Sequence, residues 1–89
     1  MRVQQLISKT SNNPVRNQFV INDDEGNTFF QSYNSIIAKE DCDGNVTLDE
    51  KCWDYSVTTG RYRNQFLGET KKETEKKIRS GEYVLADLN

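Results

Sequence analysis

The chain has 89 residues, 34 % hydrophobic and 29 % charged, with a formal net charge of −2 and a mean hydropathy of −0.89. That leaves room for one domain with one modest core, worth ~5 kcal/mol or less, and excludes a long apolar membrane span. Histidine is absent and only Cys42 and Cys52 carry thiols, so Ser-His and Cys-His nucleophile pairs and ordinary zinc ligand sets are excluded as well.

Val3, Leu6 and Ile7 recur at i, i+3, i+4 and predict one or two turns of helix, broken at Ser11-Asn12-Asn13-Pro14. The first residues hold one basic side chain but no apolar signal core, so a cytoplasmic protein is expected, with the two thiols reduced. Gln18 to Asn22 and Thr28 to Tyr33 predict a hairpin around the turn Asp23-Asp24-Glu25-Gly26-Asn27, although the alternation of Phe29, Phe30, Gln31, Ser32 and Tyr33 leaves its buried face open. Ser35 to Lys39 and Val46 to Leu48 predict a second hairpin around Asp41-Cys42-Asp43-Gly44-Asn45.

Ser56 to Thr59 supply hydroxyls for a helix start and Gly68 ends that helix. Tyr62, Phe66 and Leu67 would form its inner stripe, with Arg61 and Asn64 off it. Thr70 and Glu73 fit a capping box for a second helix to about Ser80, with Gly81 as its stop and Thr74 and Ile78 as a thin inner edge. Glu82 to Ala86 predict a last short strand. The expected fold is a single α+β domain over residues 1–89: a small antiparallel sheet of four to five strands with two or three helices packed on one face.

The near-neutral net charge hides a polarised chain. Arg61 to Arg79 holds seven basic and three acidic residues, whereas the sixty residues before it hold five basic and nine acidic. Charge segregated in this way favours a binding surface over a reaction centre. No acid, base and nucleophile constellation is visible, so the protein is not expected to be an enzyme or to carry a cofactor. If Gly44 took the sixth place of a calcium loop, Lys39 would fall at the first ligand position, so the acidic turn reads as a hairpin and no metal site is expected.

Within the basic block, Lys71 to Lys77 interleave with glutamates at helix-supporting spacings, which equally describes a solvated helix. Arg61 and Arg63 are harder to dismiss, because they flank Tyr62 near a helix start. Trp53 is expected in the core, while Tyr55 and Tyr62 are as suited to an interface as to burial. The candidate partner-binding residues are therefore Tyr55, Arg61, Tyr62, Arg63, Asn64 and Lys72.

Phe30 to Ala38, the block Trp53 to Gly68 and the tail Gly81-Glu82-Tyr83 together resemble a family of small phage and mobile-element proteins. The resemblance implies a short phage-type protein acting inside a host bacterial cell, in the company of anti-CRISPR and other anti-defence inhibitors. It transfers no catalytic or ligand residues. The expectation is a non-enzymatic inhibitor that occludes a host protein such as a nuclease-type defence effector. Two alternatives stay open: a nucleic-acid or nucleotide binder using the same arginines, and a phage structural or assembly module marked by self-association, of which a homodimer is the simplest form.

Overall fold

The computed structural model describes residues 1–89. Its elements in chain order are β1 (Arg2–Ile7), β2 (Pro14–Asn22), β3 (Thr28–Ser32), β4 (Ser35–Glu40), β5 (Val46–Asp49), α1 (Val57–Leu67), α2 (Lys71–Ser80) and β6 (Val84–Ala86). The six strands lie in one sheet in sequence order. The first four pairings are antiparallel, and β6 lies parallel to β5. The α+β class and the two helices match the sequence expectation, but the sheet is larger and mixed. The helical pair between β5 and β6 carries the chain back along the sheet, so β6 re-enters in the direction of β5.

The N-terminal residues also correct the reading. They form a strand, not a helix, because Arg2 to Gln5 find ladder partners in Asn22 to Phe19. Plain alternation from Gln4, which pairs with the inward-facing Val20, buries Leu6 and leaves Val3 and Ile7 exposed, and these three positions also fit helical spacing in the sequence.

The two acidic turns share one construction. Asp23 accepts hydrogen bonds from the backbone N–H groups of Glu25 and Asn27, and Asp41 accepts from those of Asp43 and Asn45. Gly26 and Gly44 take the left-handed conformation, at φ 87° and 84°. Asn27, through its side chain first, holds the Asp23 carboxyl below the usual range; the Asn45 N–H does the same for Asp41. Turn closure accounts for the acid at the head of each loop, and no ligand is needed to explain it.

Both helices cover one face of the sheet. Phe30 stacks on Phe66 of α1 at 5.7 Å between centroids, and Ser32 hydrogen-bonds Thr59 at 2.8 Å. The core comprises Leu6, Phe30, Ile37, Ala38, Val46, Leu48 and Tyr83, with Trp53, Tyr62, Phe66, Leu67 and Ile78 packed against it. Ile37 and Ala38 are both buried because the β3–β4 register shifts between Phe30 and Gln31. Helix boundaries follow local chemistry: the Ser56 side chain caps α1, Thr70 and Glu73 form the full capping box of α2, and Gly68 and Gly81 end the helices in the left-handed region.

Two buried groups lack a hydrogen-bond partner, the Gln18 amide and Arg63 Nε. Gln18, fully buried opposite Ser32, makes no side-chain hydrogen bond within the fold. Gln18→Met keeps the shape and removes a desolvated amide, so we expect it to raise stability by about 1 kcal/mol in urea titration. A loss of stability would instead show that the amide is held by an internal water.

Candidate contact site

Arg61 and Arg63 lie two positions apart on α1, which is roughly 200° around a helix, so they face opposite ways. Arg61 is exposed, and Arg63 is only 1 % exposed. The Arg63 guanidinium donates from Nη1 to the Trp53 carbonyl at 2.7 Å and to Asp54 Oδ1 at 3.2 Å, and from Nη2 to Asn64 Oδ1 at 3.0 Å. It also lies over the Trp53 ring, 5.2 Å from the centroid. Gly60, one turn earlier, lies beside the guanidinium, where a Cβ would make ordinary van der Waals contact with Nη2 at 3.7 Å. The expectation of an exposed Arg61–Arg63 pair is thus corrected. Arg63 fastens the Trp53–Asp54 loop to α1, because the planar fork can satisfy a carbonyl and a carboxylate at once.

Asp54 is shared. Lys71 of α2 reaches its other oxygen at 2.8 Å, so one carboxylate joins the loop, α1 and α2. Burial pushes the Asp54 carboxyl up, but the Lys71 and Arg63 hydrogen bonds outweigh it and hold the group below its ordinary range. Asn64 serves the same network, and Tyr62 packs partly buried against the core. Of the six candidate residues, the structure leaves Tyr55, Arg61 and Lys72 free at the surface.

Around Tyr55 and Arg61, but not Lys72, is an open cleft of about 550 Å³, with Val57, Gly60 and Lys71 among its other lining residues. Tyr55 is 49 % exposed and Val57 89 % exposed. Val57 went unnoticed in the sequence. The signal was present, since the residues three and four further on are Gly60 and Arg61, which offer it no apolar neighbour.

The charge polarity is partly neutralised in the fold. Of the seven basic residues from Arg61 to Arg79, Arg63 and Lys71 pair with Asp54, and Lys77 pairs with Glu69. Arg61, Lys72, Lys76 and Arg79 have no carboxylate within 4.0 Å, and the last three fall at i, i+4, i+7 on exposed α2.

A second network was not foreseen. Glu69, between the two helices, accepts from Lys77 Nζ at 2.8 Å, from the Tyr83 hydroxyl at 2.7 Å and from the Thr74 hydroxyl. It welds the α1–α2 junction to the residue just ahead of β6.

The residues matched by comparison with known families are 1–82. The chain belongs to a family of unknown function (DUF8033). None of the curated proteins and none of the solved structures shows significant similarity to it. No helix is long and apolar enough to cross a membrane.

Proposed function

We propose that this protein is a non-enzymatic binding protein that occludes a partner surface with the start of α1. The observation that carries the reading is the grouping of Tyr55, Val57 and Arg61 along one cleft, exposed and without an internal partner for the Arg61 charge. An aromatic, an aliphatic and an arginine form the usual centre of a protein interface. Lys72, Lys76 and Arg79 extend a cationic flank along α2, which suits an acidic partner surface. The phage-type context implied by the sequence resemblance makes the partner a host protein, of which a nuclease-type defence effector is the leading case. Action is by steric and electrostatic blocking, without turnover.

The alternative nucleic-acid reading loses force with Arg63, Lys71 and Lys77, all of which are held by the protein's own carboxylates. The test is capture from bacterial lysate with wild type and a Tyr55→Ala/Arg61→Glu double variant. A partner retained by wild type and depleted at least ~10-fold by the variant supports the reading, since two central interface residues are removed. Equal retention by both removes α1 as the contact face. Retention of DNA or RNA that falls steeply with salt would favour the alternative instead.

A further inference from the structure

The face of the sheet turned away from the helices is apolar and uncovered. Strand alternation sets it opposite Phe30 and Ser32, whose partners lie in α1. Register then lays two rows across it: Val3, Ile21, Phe29, Lys39 and Thr47, and beside them Gln5, Phe19, Gln31 and Ile36. Phe19, Ile21, Phe29 and Ile36 are only half-buried and none packs against the core, while Val3 is 57 % exposed. A solvated sheet face is normally polar, whereas five of these nine side chains are apolar and only Gln5, Gln31, Lys39 and Thr47 are polar.

We propose that this face is the interface of a homodimer, closed by the same face of a second copy. Its chemistry selects that occupant. Lys39 is the only charged residue in the two rows, and its ammonium lies 6.0 Å from the Phe29 ring centroid, so nothing on the face selects a charged partner. Gln5 and Gln31 each offer a donor and an acceptor, so they can pair with their own copies across a two-fold axis. Gln5 and Gln31 already donate to the Val15 carbonyl at 3.5 Å and the Tyr33 carbonyl at 2.8 Å, and a lipid phase would leave their second N–H and their amide oxygens unpaired. The size sets the strength of the contact. Strand spacing and rise give a face of roughly 24 by 17 Å. Two such faces would bury on the order of 800 Å², which suits a weak, concentration-dependent dimer rather than a permanent one. The contact is independent of the α1 site, which lies on the helix side.

The test is light scattering on the eluting protein across a dilution series, with wild type expected at twice the 10.3 kDa protomer mass and falling towards it on dilution. Phe19→Lys, which enters a two-fold interface twice, should weaken dimerisation at least ~100-fold with the circular dichroism unchanged. Because that variant risks misfolding, isotope-filtered NOEs on a mixed labelled and unlabelled wild-type sample supply a second readout. Contacts between Phe19 or Phe29 and a neighbouring copy are expected. The Tyr55→Ala/Arg61→Glu variant should remain dimeric, which separates this result from the partner-capture result. A wild type that stays monomeric throughout, a dimer whose filtered contacts come from α1 or α2, or flotation of the monomer with neutral lipid vesicles would each overturn the proposal.

Discussion

Arg63→Ala should remove most of the fold's stability, by about 3–5 kcal/mol, whereas Arg61→Ala should change it by no more than about 0.5 kcal/mol. The reason is burial. Arg63 is 1 % exposed, and its guanidinium satisfies the Trp53 carbonyl, half of Asp54 and the Asn64 amide oxygen. Alanine strips the Trp53 carbonyl and the Asn64 amide oxygen of their donor, leaves Asp54 to Lys71 and solvent, removes the cation from the Trp53 face and opens a cavity. In a domain of ~5 kcal/mol or less, that is close to global unfolding at 25 °C. Arg63→Met, which keeps a long stem on Trp53 and introduces no new charge, should recover part of the loss, because a buried ion pair is often replaceable by apolar volume. Urea titration followed by Trp53 fluorescence measures all three variants. An Arg63→Ala midpoint within error of wild type would falsify the structural assignment and return Arg63 to the surface.

The second large effect is acid unfolding centred on Glu69 and Asp49. Burial raises both carboxyls, but hydrogen bonds overcome it: from Lys77, Thr74 and Tyr83 for Glu69, and from the Leu88 N–H with Cys52 and Lys51 for Asp49. Their folded pKa values therefore lie below the unfolded ones, as does that of Asp54. Between the two values the unfolded chain binds more protons, so stability rises with pH there. The contribution is complete above the unfolded carboxylate range, about pH 4, and is lost as pH falls through the folded values.

The alkaline end is set by Tyr83, which burial and then Glu69 push up to about 12 from 10.0. Its folded value is raised, so its contribution holds below pH 10 and disappears as pH climbs towards 12. A stability plateau is expected between these limits. Glu69→Gln should lower the plateau by about 1–3 kcal/mol and flatten both slopes, because it removes the shared acceptor. Thermal melts at pH steps from 2 to 11 check this. An acid limb identical to wild type in Glu69→Gln would show that other carboxylates dominate.

Val3, Leu6 and Ile7 show why part of the fold was illegible. Three apolar side chains at these positions suit one face of a helix or both faces of a strand, and only the partner strand from Pro14 to Asn22 decides between them. Phe29 and Phe30 left the buried face undecided for a related reason. Both faces of β3 carry phenylalanine, one packed under α1 and one on the open side. The candidate site was half legible. Tyr55 and Arg61 lie exposed along one cleft, yet grouping Arg61 with Arg63 ignored the turn of the helix between them.

Taken alone, the sequence determined whatever closes within about four residues. The Ser56 cap, the Thr70–Glu73 box, the left-handed glycines and the two Asp-to-Asn hairpin turns all find their hydrogen-bond partners nearby in the chain. Tertiary structure decided the strand nature of β1, the parallel β6, the uncovered sheet face and the fate of each cation. Those outcomes depend on groups that meet only on folding: Lys71 reaches Asp54 across seventeen positions of chain, and the Tyr83 hydroxyl meets Glu69 across fourteen. Which arginine is buried is therefore a property of the packed layers, since composition and spacing assign both the same charge.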